Sequence, residues 1–212
     1  VPVNLSDCPP FASMPPHCAH ATDLQEWREL YARAAGKDGQ QDRCEELRRA
    51  LALGDGHADL RYRLGLCGGD EAPLHFSAAR DLDALRFRAD RRVNAIIRST
   101  AAHPGIVLVD MDSVLHGAAP RAPDRDLFLD HVHFSERGNY EVASAMLPPL
   151  LEMLNMTPNG ATNAPALDDC CAALGLNAWN RMRIRAAMLS MMSRPPFTAQ
   201  LDHARRLYAQ RR

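Results

Sequence analysis

The side chains that could do chemistry are concentrated in one polar stretch in the second half of the chain, residues 130–135 (DHVHFS). Asp130 and His133 are three residues apart, and in a turn at this spacing a carboxylate can accept a hydrogen bond from the imidazole. That contact fixes the imidazole tautomer and stabilises the imidazolium formed during proton transfer. We therefore predict that His133 is a general base and Asp130 its orienting carboxylate, a pair that still needs a nucleophile.

A second acidic stretch offers a different chemistry. Residues 107–112 (VLVDMD) resemble the first motif of haloacid-dehalogenase-type phosphatases, an apolar strand followed by Asp-x-Asp. In that alternative Asp110 is the nucleophile, Asp112 the acid/base and a Mg²⁺ ligand, and Asp168-Asp169 the distal acidic motif. Over a hundred residues precede the stretch and no lysine follows it, whereas the motif normally opens its domain.

His131 is a third candidate, because His-x-His beside an aspartate could ligate a metal. In an extended segment, however, the adjacent side chains of Asp130 and His131 diverge, and no other His or Cys cluster is close in sequence. We therefore predict neither a metal nor another cofactor.

Composition narrows the class of protein. The 212 residues carry a net charge of −1, so electrostatics do not favour nucleic acid as a partner. No apolar run is long enough to span a membrane and no signal peptide is visible. The six cysteines contain no Cys-x-x-Cys pair, which predicts buried thiols in a reducing, cytoplasmic location rather than disulfides or a zinc site.

The elements around these residues alternate between strand-like and helical patterns. Residues 1–5 alternate like a strand, and residues 81–103 have a helical periodicity. Residues 106–109 (IVLV) form a short apolar run bounded by turn residues, which is typical of a buried parallel strand. A helix between strands indicates the crossover of an α/β sheet. Ser135 is the predicted N-cap of the next helix, and three short helices are expected near 167–175, 177–192 and 198–211.

The helical segment 23–80 repeats with a period of 34 residues, from Leu24 to Ala58. It resembles two degenerate tetratricopeptide-like hairpins, in which small residues pack against large ones. Two units are fewer than a free-standing solenoid needs, so the segment either packs on the rest of the protein or binds a peptide.

The stretch around Asp130 is similar to the C-terminal signature of SGNH/GDSL-type hydrolases, with Phe134 where the family more often has proline. Three further segments resemble bacterial members of that family with a tetratricopeptide-like insertion: residues 4–11 (NLSDCPPF), 80–90 (RDLDALRFRAD) and 194–204 (RPPFTAQLDHA). The resemblance implies a partial three-layer α/β/α (SGNH/flavodoxin-like) parallel sheet with a helical insert and a helical tail. It also implies ester hydrolysis or acyl transfer through a Ser-His-Asp triad, with His133 as general base and Asp130 as orienter.

The family's serine lies in a Gly-Asp-Ser motif, and no segment of this chain matches it. Residues 54–56 (GDG) and 69–70 (GD) lie in the helical insert and lack the serine. The nucleophile and the oxyanion hole are expected upstream of Val1, and loss of the serine from such a triad costs roughly 10⁶ in kcat. We therefore predict that the parent protein is a hydrolase and that this chain alone is nearly inert.

The predicted organisation has three parts. Residues 1–22 and 81–155 form the C-terminal part of the hydrolase domain, residues 23–80 the helical insert, and residues 156–212 a helical extension. The expected substrate is a small-molecule, carbohydrate or lipid ester, and a protein partner could bind the insert. The remaining alternative is a non-catalytic scaffold built on the tetratricopeptide-like hairpins.

Overall fold

The computed structural model describes residues 1–36, 40–116, 124–156 and 164–210. Helices dominate these residues. The one ladder among them is a two-stranded antiparallel pair of β1 (His17–Cys18) and β2 (Gly54–Asp55). The helices are α1 (Ala21–Gly36), α2 (Gln40–Leu53), α3 (Ala58–Leu66), α4 (Ala72–Asp81), α5 (Arg91–Ala101), α6 (Met111–His116), α7 (Asp124–Leu127), α8 (Glu136–Met153), α9 (Leu167–Ala173), α10 (Ala178–Met192) and α11 (His203–Gln210), with a 3₁₀ turn at Phe197–Ala199.

The predicted parallel-sheet α/β fold is wrong. Residues 106–110 have no regular secondary structure and belong to no ladder, and Val107 and Leu108 are 52% and 40% exposed. Residues 1–5 are also outside any ladder. A short apolar run shows only that a segment prefers burial. Whether it becomes a strand depends on neighbours that can accept its backbone hydrogen bonds, and the described residues supply none.

The predicted helix over 81–103 is helical mainly in its second half, where α5 spans Arg91–Ala101. Helix α4 ends at Asp81, and α5 begins only at Arg91. Asp90 causes the restart, because its carboxylate accepts a hydrogen bond from the Val93 amide (2.9 Å) and so caps the first turn of α5.

One compact unit contains residues 5–87 and 196–203. Here α1 packs along α2 and α3 packs along α4, so the two predicted helical hairpins are present. Burying a leucine contributes about 1.5–3 kcal/mol, which makes the apolar faces of these helices the main stabilising feature of the unit. Its core consists of Trp27, Leu30, Ala34, Leu47, Ala50, Leu60 and Leu64.

A disulfide joins Cys44 on α2 to Cys67, which directly follows α3. The prediction that all the cysteines are free thiols is therefore wrong for this pair. The spacing of the cysteines gave no sign of it, because the pairing depends on how one hairpin packs against the next. The other four cysteines are thiols that form no disulfide, with Cys8 and Cys171 buried and Cys18 and Cys170 partly buried.

The second compact unit contains residues 1–4, 88–195 and 204–212. Its buried apolar cluster is small and lies where α6 and α7 meet the first part of α8. This cluster supports the loop between α7 and α8 that carries the predicted site. Its members are Met111, Leu115, Leu127 and Phe128, with Phe134 and Val142 packed against them.

Candidate active site

The predicted catalytic residues lie on the closed loop between α7 and α8. Phe128 and Phe134 form an isolated antiparallel bridge, and their rings stack with centroids 5.0 Å apart. Inside the bridge, the Leu129 amide donates to the carbonyl of His133 at 2.7 Å. These contacts hold the two ends of the loop together, so that residues 130–133 form its tip.

The start of α8 fixes the downstream end of this loop. The Ser135 hydroxyl accepts a hydrogen bond from the Gly138 amide (3.1 Å), which confirms the predicted N-cap. The Ser135 amide in turn donates to the Leu127 carbonyl at 2.9 Å. Gly138 is buried, and a Cβ atom there would overlap the Leu127 carbonyl oxygen. The close approach of α8 to the end of α7 therefore requires a glycine.

The structure brings Asp130 and His133 together. His133 Nδ1 lies 2.9 Å from Asp130 Oδ2 and 3.0 Å from Oδ1. The backbone amides of Val132 and His133 also donate to Oδ1, at 2.9 and 2.8 Å. Because an ionised carboxylate can only accept hydrogen bonds, Nδ1 must carry the proton. The Nε2 atom of a neutral His133 is then the basic one.

Burial differs sharply across the pair. The Asp130 side chain is 0% exposed, whereas that of His133 is 53% exposed. The carboxylate is therefore held by the loop backbone while the imidazole reaches solvent. Among the described residues no hydroxyl or thiol is hydrogen-bonded to His133. The arrangement can accept a proton at Nε2 and stabilise the resulting imidazolium, but it does not contain the group that would give up that proton.

His131 occupies a different environment from His133. It is fully buried, and its carbonyl oxygen accepts a hydrogen bond from the Asn4 amide at 3.0 Å. Among the residues that the structure describes, no three His, Cys, Asp or Glu side chains are grouped as metal ligands would be. The two histidines that look equivalent in sequence are thus separated by burial.

The Asp-x-Asp stretch is engaged in an ion-pair network. Arg98 bonds to Asp110 through Nε (2.7 Å) and to Asp112 through Nη2 (3.2 Å). Asp110 also accepts hydrogen bonds from the amide and the hydroxyl of Ser113, at 3.3 and 2.9 Å. The bond to Arg98, together with those from Ser113, lowers the pKa of Asp110 to about 2. Both oxygens of the nucleophile in the phosphatase alternative are therefore already bonded.

The other acidic residues of that alternative lie apart from this network. Asp168 and Asp169 are exposed in the first turn of α9. No hydrogen bond or ion pair among the described residues joins them to Asp110 or Asp112. The structure thus does not bring together the four aspartates that the alternative would combine.

Sequence reasoning missed His116, which links this network to the loop. Its Nδ1 lies 3.3 Å from Asp112 and its Nε2 lies 3.0 Å from Asp124, and its ring stacks on Phe128. Burial alone lowers the pKa of His116, but the hydrogen bonds and charges of the two carboxylates outweigh it and raise the pKa to about 9. The i,i+4 spacing of Asp112 and His116 is a signal that could have found half of this arrangement.

The free energy of unfolding is expected to fall as the pH rises from 6.5 to 9. Because the folded state raises the pKa of His116, its contribution is complete below pH 6.5 and is lost as the pH passes about 9. One proton changes the stability by at most about 1.4 kcal/mol per pH unit. Urea unfolding across this range should show a steeper decline for the wild type than for His116→Gln, with the exposed His103→Gln as control. Equal slopes in wild type and His116→Gln would contradict the assignment.

A cavity of about 230 Å³ opens within the same unit as the loop. Arg98 and Asp110 form the charged part of its wall, and the rest is mainly apolar. Phe134, which follows His133 in the chain, belongs to this wall, so the loop contributes to both the cavity and the dyad. The main apolar lining residues are Pro2, Ile97, Leu108, Met111, Phe134 and Val142.

The helical hairpins carry a polar cluster of their own. The Tyr31 hydroxyl donates to Asp59, which also pairs with Arg63 at 2.8 Å. Arg63 lies over the Tyr31 ring, 5.4 Å from its centroid. Burial and the neighbouring carboxylate raise the pKa of the Tyr31 phenol. These groups bond to one another and so hold α1 to α3.

Comparison with protein-family models, with curated proteins and with solved structures found no match for the chain. Within the described ranges, no helix has both the length and the apolar composition needed to cross a membrane. The fold and the site together define a mostly helical protein with an Asp–His pair on a closed loop.

Proposed function

We propose that this chain carries the Asp–His half of a serine-type catalytic triad in an esterase or acyl hydrolase. The geometry of Asp130 and His133 carries the proposal: a fully buried carboxylate, fixed by two backbone amides, holds the Nδ1 side of an imidazole whose side chain is half exposed. The similarity of residues 130–138 to the SGNH/GDSL signature supports the same role.

The proposed chemistry follows from the two nitrogens of His133. Nε2 accepts the proton of a serine hydroxyl while the serine oxygen attacks the ester carbonyl. The imidazolium then gives that proton to the departing alcohol. Asp130 stabilises the imidazolium through Nδ1–H. Water, or an acceptor alcohol in a transfer reaction, repeats the sequence on the acyl-serine. In this proposal the serine and the oxyanion donors come from a segment of the parent protein outside this chain.

The cavity beside the loop supports a substrate with a short apolar acyl group. Its volume of about 230 Å³ is below the roughly 300–1,000 Å³ typical of pockets for drug-sized ligands. Phe134 and Val142 provide apolar walls, and Arg98 with Asp110 provides a polar edge. A carbohydrate or lipid ester with a small acyl group fits these features.

Replacing His133 with alanine in the native-length protein is expected to abolish its esterase activity. Hydrolysis of p-nitrophenyl acetate and covalent labelling by a fluorophosphonate should both be present in the wild type and lost in His133→Ala, because the serine then has no base. The isolated chain should show neither reaction. The matched control is His103→Ala, which removes an exposed histidine of the same unit.

Two results would overturn the proposal. The first is a wild-type native-length protein with no hydrolytic activity and no labelling across a panel of acyl esters. The second is full activity in His133→Ala. Turnover by the isolated chain that disappears in His133→Ala would keep the role of His133 but would show that the nucleophile lies within these 212 residues.

A further inference from the structure

We infer that Arg88 is a positioning residue for the Asp130–His133 pair and that it acts through the backbone of Asn4; this inference rests on the proposed function. Arg88 Nη1 donates to the Asn4 carbonyl at 2.8 Å, and the Asn4 amide donates to the His131 carbonyl at 3.0 Å. His131 lies between the two residues of the pair. The guanidinium is therefore connected to the loop tip by two hydrogen bonds.

Burial makes this connection firm. Arg88 is 5% exposed, Asn4 3% and His131 0%. A hydrogen bond from a charged donor is stronger than a neutral one, and a buried carbonyl that loses its donor has no water to replace it. Removing Arg88 therefore takes one charge-assisted hydrogen bond from the Asn4 carbonyl in the interior, and we expect the position of residues 1–4 to shift.

Residues 1–4 depend on such contacts because they belong to no ladder. Their position is fixed at one end by Arg88 and at the other by Asn94, whose side-chain amide donates to the Val1 carbonyl at 3.1 Å. Asn94 lies on α5, and Arg88 lies two residues before Asp90, the N-cap of that helix. Residues 1–4 are thus bonded to α5 and to the residue Arg88 before it, and the Asn4 amide in turn bonds to the His131 carbonyl.

The consequence for chemistry is geometric. The Asp130 carboxylate is held by the amides of Val132 and His133, so the path of the loop backbone sets where the carboxylate and the imidazole meet. A displacement of about 1 Å at a reacting group can cost roughly 10²-fold in rate. Loss of Arg88 should therefore reduce turnover without removing any group that touches substrate.

The test compares Arg88→Met and Arg88→Lys in the native-length protein. We expect Arg88→Met to lower kcat by roughly 10- to 100-fold with little change in KM, and Arg88→Lys to restore part of the loss, because lysine keeps one donor for the Asn4 carbonyl. The control is Arg92→Met, an exposed arginine in the first turn of α5. It should retain wild-type activity.

A measurement on this chain alone separates the inference from the proposed function. The His133 Nδ1 proton, bonded to Asp130, should give a far-downfield NMR signal that Arg88→Met broadens or removes and Arg92→Met leaves unchanged. If that change is seen and the native-length protein has no esterase activity, the proposed function fails and the positioning role stands. If Arg88→Met folds with the wild-type signal and kcat, the inference is overturned. Should Arg88→Met fail to fold, Arg88→Lys decides. A retained His133 signal together with an Asn4 amide that stays protected from exchange supports the tether. A wild-type signal and kcat with that protection lost overturns it.

Discussion

Replacing Asp130 with asparagine is expected to reduce kcat of the native-length protein by about 10⁴-fold. The asparagine oxygen can still accept hydrogen bonds from the amides of Val132 and His133, so the loop should keep its shape. Its NH₂ group then faces His133 Nδ1, which must become an acceptor. The proton moves to Nε2, and the nitrogen that should take a proton from serine no longer has a free lone pair.

The measurement needs a readout of the tautomer as well as of the rate. Steady-state hydrolysis of p-nitrophenyl acetate gives kcat, and ¹⁵N NMR of the imidazole shows which nitrogen of His133 carries the proton. Asp126→Asn is the matched control, because Asp126 is an exposed aspartate on the neighbouring helix α7. A wild-type rate in an Asp130→Asn protein with the reversed tautomer would exclude His133 as the general base.

Reducing the Cys44–Cys67 disulfide is expected to lower the free energy of unfolding by about 3 kcal/mol, because the closed loop spans 23 residues. The bond joins α2 to the end of α3, so it links one helical hairpin to the next. Two hairpins are fewer than a repeat array needs for stability, and a covalent link compensates by restricting the unfolded chain. For a chain of this length the loss corresponds to about 6–12 °C in Tm.

Thermal unfolding with and without dithiothreitol tests this expectation, and the double variant Cys44→Ala/Cys67→Ala should match the reduced wild type. Cys170→Ala, which removes a free thiol in the other unit, should leave the effect of dithiothreitol intact. Finding all six cysteines as titratable thiols in freshly purified, denatured protein would contradict the disulfide. Disulfides are rare in the reducing cytoplasm, so this thiol count also bears on the cytoplasmic location, which stays a prediction.

Features encoded by local spacing could be predicted from the sequence. The Asp-x-x-His spacing predicted a contact between Asp130 and His133, and the structure places them 2.9 Å apart. Ser135 was expected to cap a helix and does so. The period of 34 residues predicted two helical hairpins, which are present as α1/α2 and α3/α4. The Asp–His contact and the cap depend on residues within one turn of each other, and each hairpin depends on two helices that are adjacent in the chain.

Features that depend on distant neighbours could not be predicted. The apolar run 106–109 has the composition of a buried strand, yet it is partly exposed. It pairs with no other strand, because none lies beside it among the described residues. Cys44 and Cys67 were judged by their spacing, but their pairing depends on the packing of α2 against α3. No local spacing indicated the contact of Arg88 with Asn4, because the two residues lie 84 positions apart.

The sequence by itself determined which residues of this protein could transfer a proton, since an aspartate and a histidine three residues apart in a turn can meet whatever the surrounding fold. Only the tertiary structure decided how they differ from their neighbours. It buries Asp130 and His131 and leaves His133 half exposed, because the contact of the loop with Asn4 and the close approach of α8 at Gly138 fix which side of the loop faces the interior.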